Sequence, residues 1–258
     1  MTQLSLIKLG GSVITLKDRA LTPNSQAIEG ISRVLGKLAD SPIIVHGGGS
    51  FGHYWSVKYD MHTKPELYEP RGISIVHESM VALNQIVVNS LSDAGLAPYG
   101  MAPASLFADG EENVTKFAEL IEFTRRGIVP VIFGDVVHMS EGRFSIVSGD
   151  SLMTRIAANL MPSRVIFTVN VDGIYKDMRD KKLIKVLHFP TNEISFKDSS
   201  VDVTGGMARK ISEAFAIARH GIDVSIVNGL DPERVFDALR GVDVEGTVIP
   251  AIYDKDRR

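Results

Sequence analysis

The sequence predicts an α/β protein, a three-layer αβα sandwich built on a mainly parallel central sheet. Two observations predict it. Short apolar, β-branched runs recur along the 258 residues, and nearly every one ends in a glycine-rich or acidic turn. Stretches of helical period separate them. The runs are too continuous for strands with one wet face, and strands buried on both faces belong to parallel sheets flanked by helices.

The strands come first. Residues 4–9 lead into Gly10-Gly11-Ser12, and residues 43–45 into His46-Gly47-Gly48-Gly49. Residues 129–133 lead into Gly134-Asp135, residues 164–169 into Asn170-Val171-Asp172-Gly173, and residues 223–227 into Asn228-Gly229. Helices are predicted over 26–39, where Ile28, Ile31, Val34, Leu35 and Leu38 recur at nearly 3.6, and over 76–94, 114–126, 150–160, 207–220 and 231–239. The polar segment 175–200, with Lys181, Lys182 and Lys185, reads as a surface excursion, a small hairpin. No repeat or low-complexity linker interrupts the chain. It reads as one domain over 1–258, with an internal seam near 145–165 where the strand pattern of the second half begins.

Composition narrows the function classes. The chain is 44% hydrophobic and 23% charged, ordinary for a globular protein that buries one good core. A net charge of −3 argues against nucleic acid as partner. With no cysteine, disulfides and thiolate metal sites are excluded, which fits a reducing cytoplasm. The start, MTQLSLIKLGG, lacks the basic and apolar regions of a signal peptide, and no apolar run approaches the ~18 residues of a membrane helix.

The turns carry the chemistry. In an open parallel sheet, ligands bind beyond the carboxyl ends of the strands, where these turns lie. Glycine lets backbone N–H groups close on an anion, and a following helix adds its dipole. A single GGS turn is more often only a turn. Here four such turns, at Gly10-Gly11-Ser12, Gly47-Gly48-Gly49, Ser148-Gly149-Asp150 and Thr204-Gly205-Gly206, occur with Lys8, Lys17 and Lys210 nearby. Together they point to a ligand with several phosphates. Neither GxxxxGK[ST] nor a GxGxxG fingerprint in its proper setting is present, so the site is of another type.

In order, the chain carries IKLGGS, VHGGGSFGH, the GD of FGDV, SGDSL, VNVDGIY and DVTGGMARK. Together these resemble the amino acid kinase superfamily over nearly the whole chain. HGGGSFGH, and KLGGSVITLK with a lysine at each end, are similar to the isopentenyl phosphate kinases. The first of the two is also shared with fosfomycin kinases. The resemblance implies the amino acid kinase fold, an acceptor-binding lobe over about 1–145 and a nucleotide-binding lobe over about 146–258. It implies ATP-dependent phosphorylation of isopentenyl phosphate to isopentenyl diphosphate, on an alternative mevalonate route, with ATP and Mg²⁺. A fosfomycin-type phosphonate kinase is the alternative. A cytoplasmic homodimer acting on small molecules, with no membrane or nucleic-acid partner, is likewise implied.

Roles transfer residue by residue. Lys8, Lys17 and His53 take the catalytic positions. Gly48, His53 and Gly149 take those that hold the acceptor. Lys8, Gly10, Gly11, Ser12, Gly49, Asp172, Gly206 and Lys210 take those that face ATP, and no side chain takes a metal-ligand position. The residues alone leave alternatives open. His53 fits either a phosphate donor or a packed helix residue, and the lysines fit solvated charges. Asp150 fits either an organiser of Lys8 and Lys17, with Mg²⁺ reached through water, or a helix N-cap. His46, at a strand end, reads as orienting its loop. Ile75, Ser79, Met80 and Leu83 are candidates for an apolar acceptor pocket. Two departures stand out: Asn170 replaces the first aspartate of the common TDVDG, and SGDSL carries one acid where relatives often have two.

Overall fold

The computed structural model describes residues 4–108, 110–176, 182–188 and 205–253. Its elements run β1 (Ser5–Leu9), α1 (Gly11–Ile14), α2 (Ser25–Leu35), β2 (Ile43–His46), α3 (Gly49–Lys58), α4 (Pro70–Asp93) and β3 (Ala97–Met101). After a 3₁₀ turn (Pro103–Leu106) come β4 (Phe107–Ala108), β5 (Glu111–Glu112), α5 (Val114–Arg125), β6 (Ile128–Phe133), β7 (Asp135–His138) and β8 (Phe144–Val147). The rest is α6 (Gly149–Leu160), β9 (Arg164–Val169), α7 (Gly205–Ala218), β10 (Val224–Asn228), α8 (Pro232–Arg240) and β11 (Gly246–Ile249).

Seven strands form the central sheet in the order β11-β10-β9-β1-β2-β6-β3. All neighbours are parallel except β11, which runs antiparallel to β10. Side chains alternate between two cores. Leu6, Ile43, Val45, Ile132, Val165 and Phe167 face the layer of α5, α6 and α7. Ile7, Leu9, Ile44, Val131 and Ile166 face the layer of α2, α4 and α8. This is the sandwich the sequence predicts.

β1 lies between β2 and β9, with Lys8 in register with Val45 on one side and Phe167 on the other. From β1 the chain builds outward first through β2, β6 and β3, and later through β9 and β10. Strand order therefore reverses at β1, and the crevice beyond its carboxyl end is the position where open parallel sheets bind ligands. The halves on either side of residues 145–165 share this one sheet.

Some elements escaped the sequence pattern. β3 reads APYGM, and Pro98 and Gly100 hide it; as an edge strand it tolerates both. β7 and β8 form a separate two-stranded ribbon, and β11 has only four residues. α4 begins at Pro70, ahead of the predicted residue 76, because proline fits the first helical turn. α2 ends at Leu35, before the predicted residue 39. The base of the predicted hairpin is present: Tyr175 bridges Leu183 antiparallel, and Lys176 N–H donates to the Lys182 carbonyl. Residues 177–181 and 189–200 lie outside the described residues.

The first two glycine turns pack on one another. A Cβ on Gly11 would lie 2.3 Å from the backbone nitrogen of Gly49, and one on Gly49 would lie 2.0 Å from Thr15 Oγ1. Gly49 also has φ +47°, a left-handed conformation that favours glycine. Thr15 ties the turns together: its hydroxyl donates to the Gly11 carbonyl at 2.7 Å and accepts from Ser50 N–H at 2.9 Å. Gly11→Ala is therefore expected to destabilise the fold by roughly 1–3 kcal/mol, the usual cost of overpacking. Denaturant unfolding checks this; an unchanged midpoint would refute the close packing.

Candidate active site

A cleft of about 740 Å³ opens at the carboxyl edge of the sheet. Its lining includes Lys8, Gly10, Gly11, Ser12, Lys17, Gly48, Gly49, His53, Gly149, Gly206 and Lys210. Every residue given a catalytic, acceptor-phosphate or ATP-facing role from the sequence is thus brought to one cavity, except Asp172. That carboxylate is outside the lining and is tied into the fold by three neighbours. Arg234 Nη1 donates to it at 2.8 Å, Asn228 at 3.1 Å and the Tyr175 hydroxyl at 2.9 Å. The hydrogen bonds from Asn228, Arg234 and Tyr175 hold its pKa below the usual carboxylate value. Its neighbour Asn170, the departure from the common pattern, does line the cleft.

Asp150 organises the charges. Ser148 caps α6, its hydroxyl accepting from Ser151 N–H at 3.1 Å, so the N-cap role open to Asp150 falls to Ser148. Asp150 sits in the first turn of α6, two residues past the cap and buried, and Lys8 Nζ and Lys210 Nζ both donate to its Oδ1, the latter at 2.8 Å. Arg209 Nε stands 3.7 Å from Oδ2, beyond hydrogen-bond reach, with its side chain 45% exposed. The Lys8 and Lys210 ammoniums also sit over the Phe167 ring, 5.9 and 5.3 Å from its centre. Burial favours the neutral acid for Asp150, but Lys8 and Lys210 overcome it and hold the pKa well below the carboxylate range. Burial, and then repulsion from Lys210, pull Lys8 down to about 7 despite Asp150.

His53 stands on α3, open to solvent at the cleft wall, and no side-chain hydrogen bond engages it among the described residues. Burial lowers its pKa, helped by the charges of Arg209, Lys17 and Lys8. His46 is its opposite. It is fully buried, with Nδ1 3.2 Å from the Gly47 carbonyl, Nε2 3.2 Å from Asn84 Oδ1 and its ring stacked on Phe133. Burial takes its pKa down to about 4, so it is a neutral strut for the glycine turn. Lys17 is exposed on the loop after α1.

α4 supplies an apolar wall. Of the four candidates, Met80 alone lines the cleft, joined by Val76 of α4 and by Ile146 of β8. Leu83 faces the core, and the Ser79 hydroxyl donates to the Phe51 carbonyl at 3.1 Å. Met80 sulfur also crowds two glycines: Cβ atoms on Gly48 and Gly52 would approach it to 3.0 and 3.1 Å. Sequence reasoning missed Thr15, and it missed Asp135 as a cleft residue paired with His77. It gave Arg209 no place beside Asp150. Each depends on pairing across elements that no local spacing reports.

A profile of the amino acid kinase family matches residues 3–228. The chain belongs to the amino acid kinase family. Among its relatives in that family, the isopentenyl phosphate kinase of Thermoplasma acidophilum is 34% identical over 238 residues, covering 91% of this chain and 95% of the relative. That of Methanothermobacter thermautotrophicus is 33% identical over 261 residues, 95% of this chain and 98% of the relative. An X-ray structure of isopentenyl phosphate kinase superposes with a TM-score of 0.80 at 31% identity, covering 95% of this chain and all of that one. A structure of the isopentenyl phosphate kinase substrate complex gives 0.79, also at 31%, over 96% of this chain and all of that one.

The charge cluster makes a direct prediction. Asp150→Asn removes the carboxylate that favours the Lys8 ammonium, so the Lys8 pKa falls further below 7. Titration of isotopically labelled lysine by NMR checks this, and a Lys8 pKa that stays put or rises would refute the pairing.

Proposed function

We propose that this chain is an ATP-dependent isopentenyl phosphate kinase, making isopentenyl diphosphate and ADP for isoprenoid synthesis by an alternative mevalonate route. The observation that carries this reading is His53: an imidazole with no side-chain partner among the described residues, on the wall of a cleft that also gathers Lys8, Lys17, Arg209 and Lys210. Relatives named isopentenyl phosphate kinase, matched over nearly the whole chain, support the acceptor. They favour it over the phosphonate of a fosfomycin-type kinase.

The chemistry asks for positioning and charge stabilisation. The attacking phosphate oxygen of the acceptor is already ionised, so no general base is needed. His53, with backbone N–H groups at Gly48 and Gly149, holds that phosphate. Lys8 and Lys17 follow the phosphoryl group in transfer, and compact mobile ammoniums suit that task. Gly10, Gly11, Ser12, Gly49, Gly206 and Lys210 face ATP. Arg209, too far from Asp150 to hydrogen-bond, is a further cation for the phosphates. Asp172 serves the nucleotide side indirectly, by fixing the loop after β9. Val76, Met80 and Ile146 receive the branched apolar tail.

In this reading residues 1 to about 145 form the acceptor-binding lobe, with Gly48 and His53, and those from about 146 the nucleotide-binding lobe, with Gly206 and Lys210; Gly10, Gly11, Ser12 and Gly49 reach ATP from the first lobe and Gly149 reaches the acceptor from the second. Among the described residues no three His, Cys, Asp or Glu side chains gather as a metal site. Mg²⁺ enters this reading through the family resemblance, as a companion of the ATP phosphates, and no step is assigned to it. No helix among the described residues is long and apolar enough to cross a membrane. A homodimeric state and a cytoplasmic location rest on the family resemblance.

His53→Ala is expected to lower turnover of isopentenyl phosphate by about 10²–10³, the cost of one well-placed donor, with the melting temperature nearly unchanged. ADP release measures it, and wild-type kinetics would remove His53 from the site. If fosfomycin supports ADP release and isopentenyl phosphate does not, the acceptor is wrong. Lys8 also sets a pH dependence. It works as a cation, and its pKa in the free protein is about 7. So kcat/KM for ATP falls as pH rises through that value, while kcat holds to higher pH because bound phosphate raises the pKa. A kcat/KM flat from pH 6 to about 9 would exclude this role.

A further inference from the structure

One charged group on the cleft wall has no part in the reaction above. Asp135 lines the cavity with its side chain only 2% exposed, a carboxylate where anions bind. It is held by two donors. His77 Nδ1 lies 2.6 Å from Oδ2, and Val136 N–H donates to Oδ1 at 2.7 Å. His77 comes from α4, and this is the one side-chain hydrogen bond joining α4 to β7 among the described residues.

The pair stands between the walls of the apolar pocket. Val76, next to His77, and Met80, three residues further on, form one wall. Ile146 of β8, paired in register with Val136, forms the other. Val76 and Val136 meet beneath in a small apolar cluster with Met61, against which Ile146 packs. A buried carboxylate left without its partner is costly, so the bond to His77 is maintained and fixes how far α4 can move from the ribbon.

We infer that the His77–Asp135 pair is a positioning device that sets the width of the acceptor-tail pocket, and so the acceptor KM, without touching the reacting phosphates. This rests on the proposed function.

Steady-state kinetics on the full chain test it. In His77→Ala the KM for isopentenyl phosphate should rise about tenfold, with kcat within about twofold and the ATP KM unchanged. His77→Asn, which keeps a donor near the Nδ1 position, should return the acceptor KM to within about threefold of wild type. Should His77→Ala prove too unstable to assay, His77→Gln serves as the second disrupting variant. A merely structural role would lower the melting temperature and leave the acceptor KM alone, and that result overturns the inference. So does an equal rise in both KM values. Hydrogen exchange supplies a readout without substrate: amides of β7 and β8 should exchange faster in His77→Ala and not in His77→Asn. If wild-type protein fails to turn over isopentenyl phosphate, the proposed function has failed, and exchange alone decides the brace: unchanged β7 and β8 amides overturn it.

Discussion

Asp150 lies between Lys8 and Lys210, three charges taken out of water at the carboxyl edge of the sheet. Each ammonium loses hydration, and each repels the other. The shared carboxylate and the face of Phe167 offset part of that cost, but one anion cannot satisfy two buried cations. The depressed pKa of Lys8 records the imbalance. A phosphate entering the cleft relieves it. The site thus carries an electrostatic deficit of the sign an anion offsets, and the deficit exists only because β1, α6 and α7 bring their residues to one point.

The glycines serve two masters. Gly11 and Gly49 are forced by the close approach of the two turns, and Gly48 by the backbone of Gly52, where a Cβ would come within 2.9 Å; Met80 sulfur only crowds Gly48 and Gly52. A Cβ on Gly149 would lie 2.9 Å from the His46 carbonyl oxygen and 3.2 Å from Lys8 Cε. Gly206 meets nothing within 4 Å. Dense packing of bare backbone at a sheet edge leaves N–H groups unshielded by side chains, which is what anion binding requires. The packing that excludes side chains from these turns is also what leaves their backbone open to the cleft.

The two histidines that bracket the second turn divide along the same lines. His46 is sealed beneath the turn, neutral and stacked on Phe133, and holds the backbone. His53, one helical turn past Gly49, is left with its ring free in the cleft. A third, His77, faces solvent on one side and Asp135 on the other. Similar residues receive different work from burial and partners alone.

Much was fixed locally. Continuous β-branched runs made buried parallel strands, because only a sheet covered on both faces accepts them, and glycines at their ends marked the binding edge. The motif order and its likeness to a kinase family named the lysines, the glycines and His53 that gather at the cleft, and left Asp135, Val76 and Ile146 unassigned. Other features needed the folded chain. Pro98 and Gly100 hid an edge strand whose backbone pairs on one side only. Asp172 kept its place in a familiar motif, yet tertiary contacts with Arg234 and Asn228 turned it into the fold. The Asp135–His77 pair spans 58 residues and the Lys8–Asp150 pair 142, and no periodicity encodes such distances. Sequence by itself determined which groups could bind phosphate, since that depends on residue type and local backbone freedom. Only the tertiary structure decided which charges share a partner and which are left wanting one, since Coulomb energy and desolvation depend on separation and burial in space.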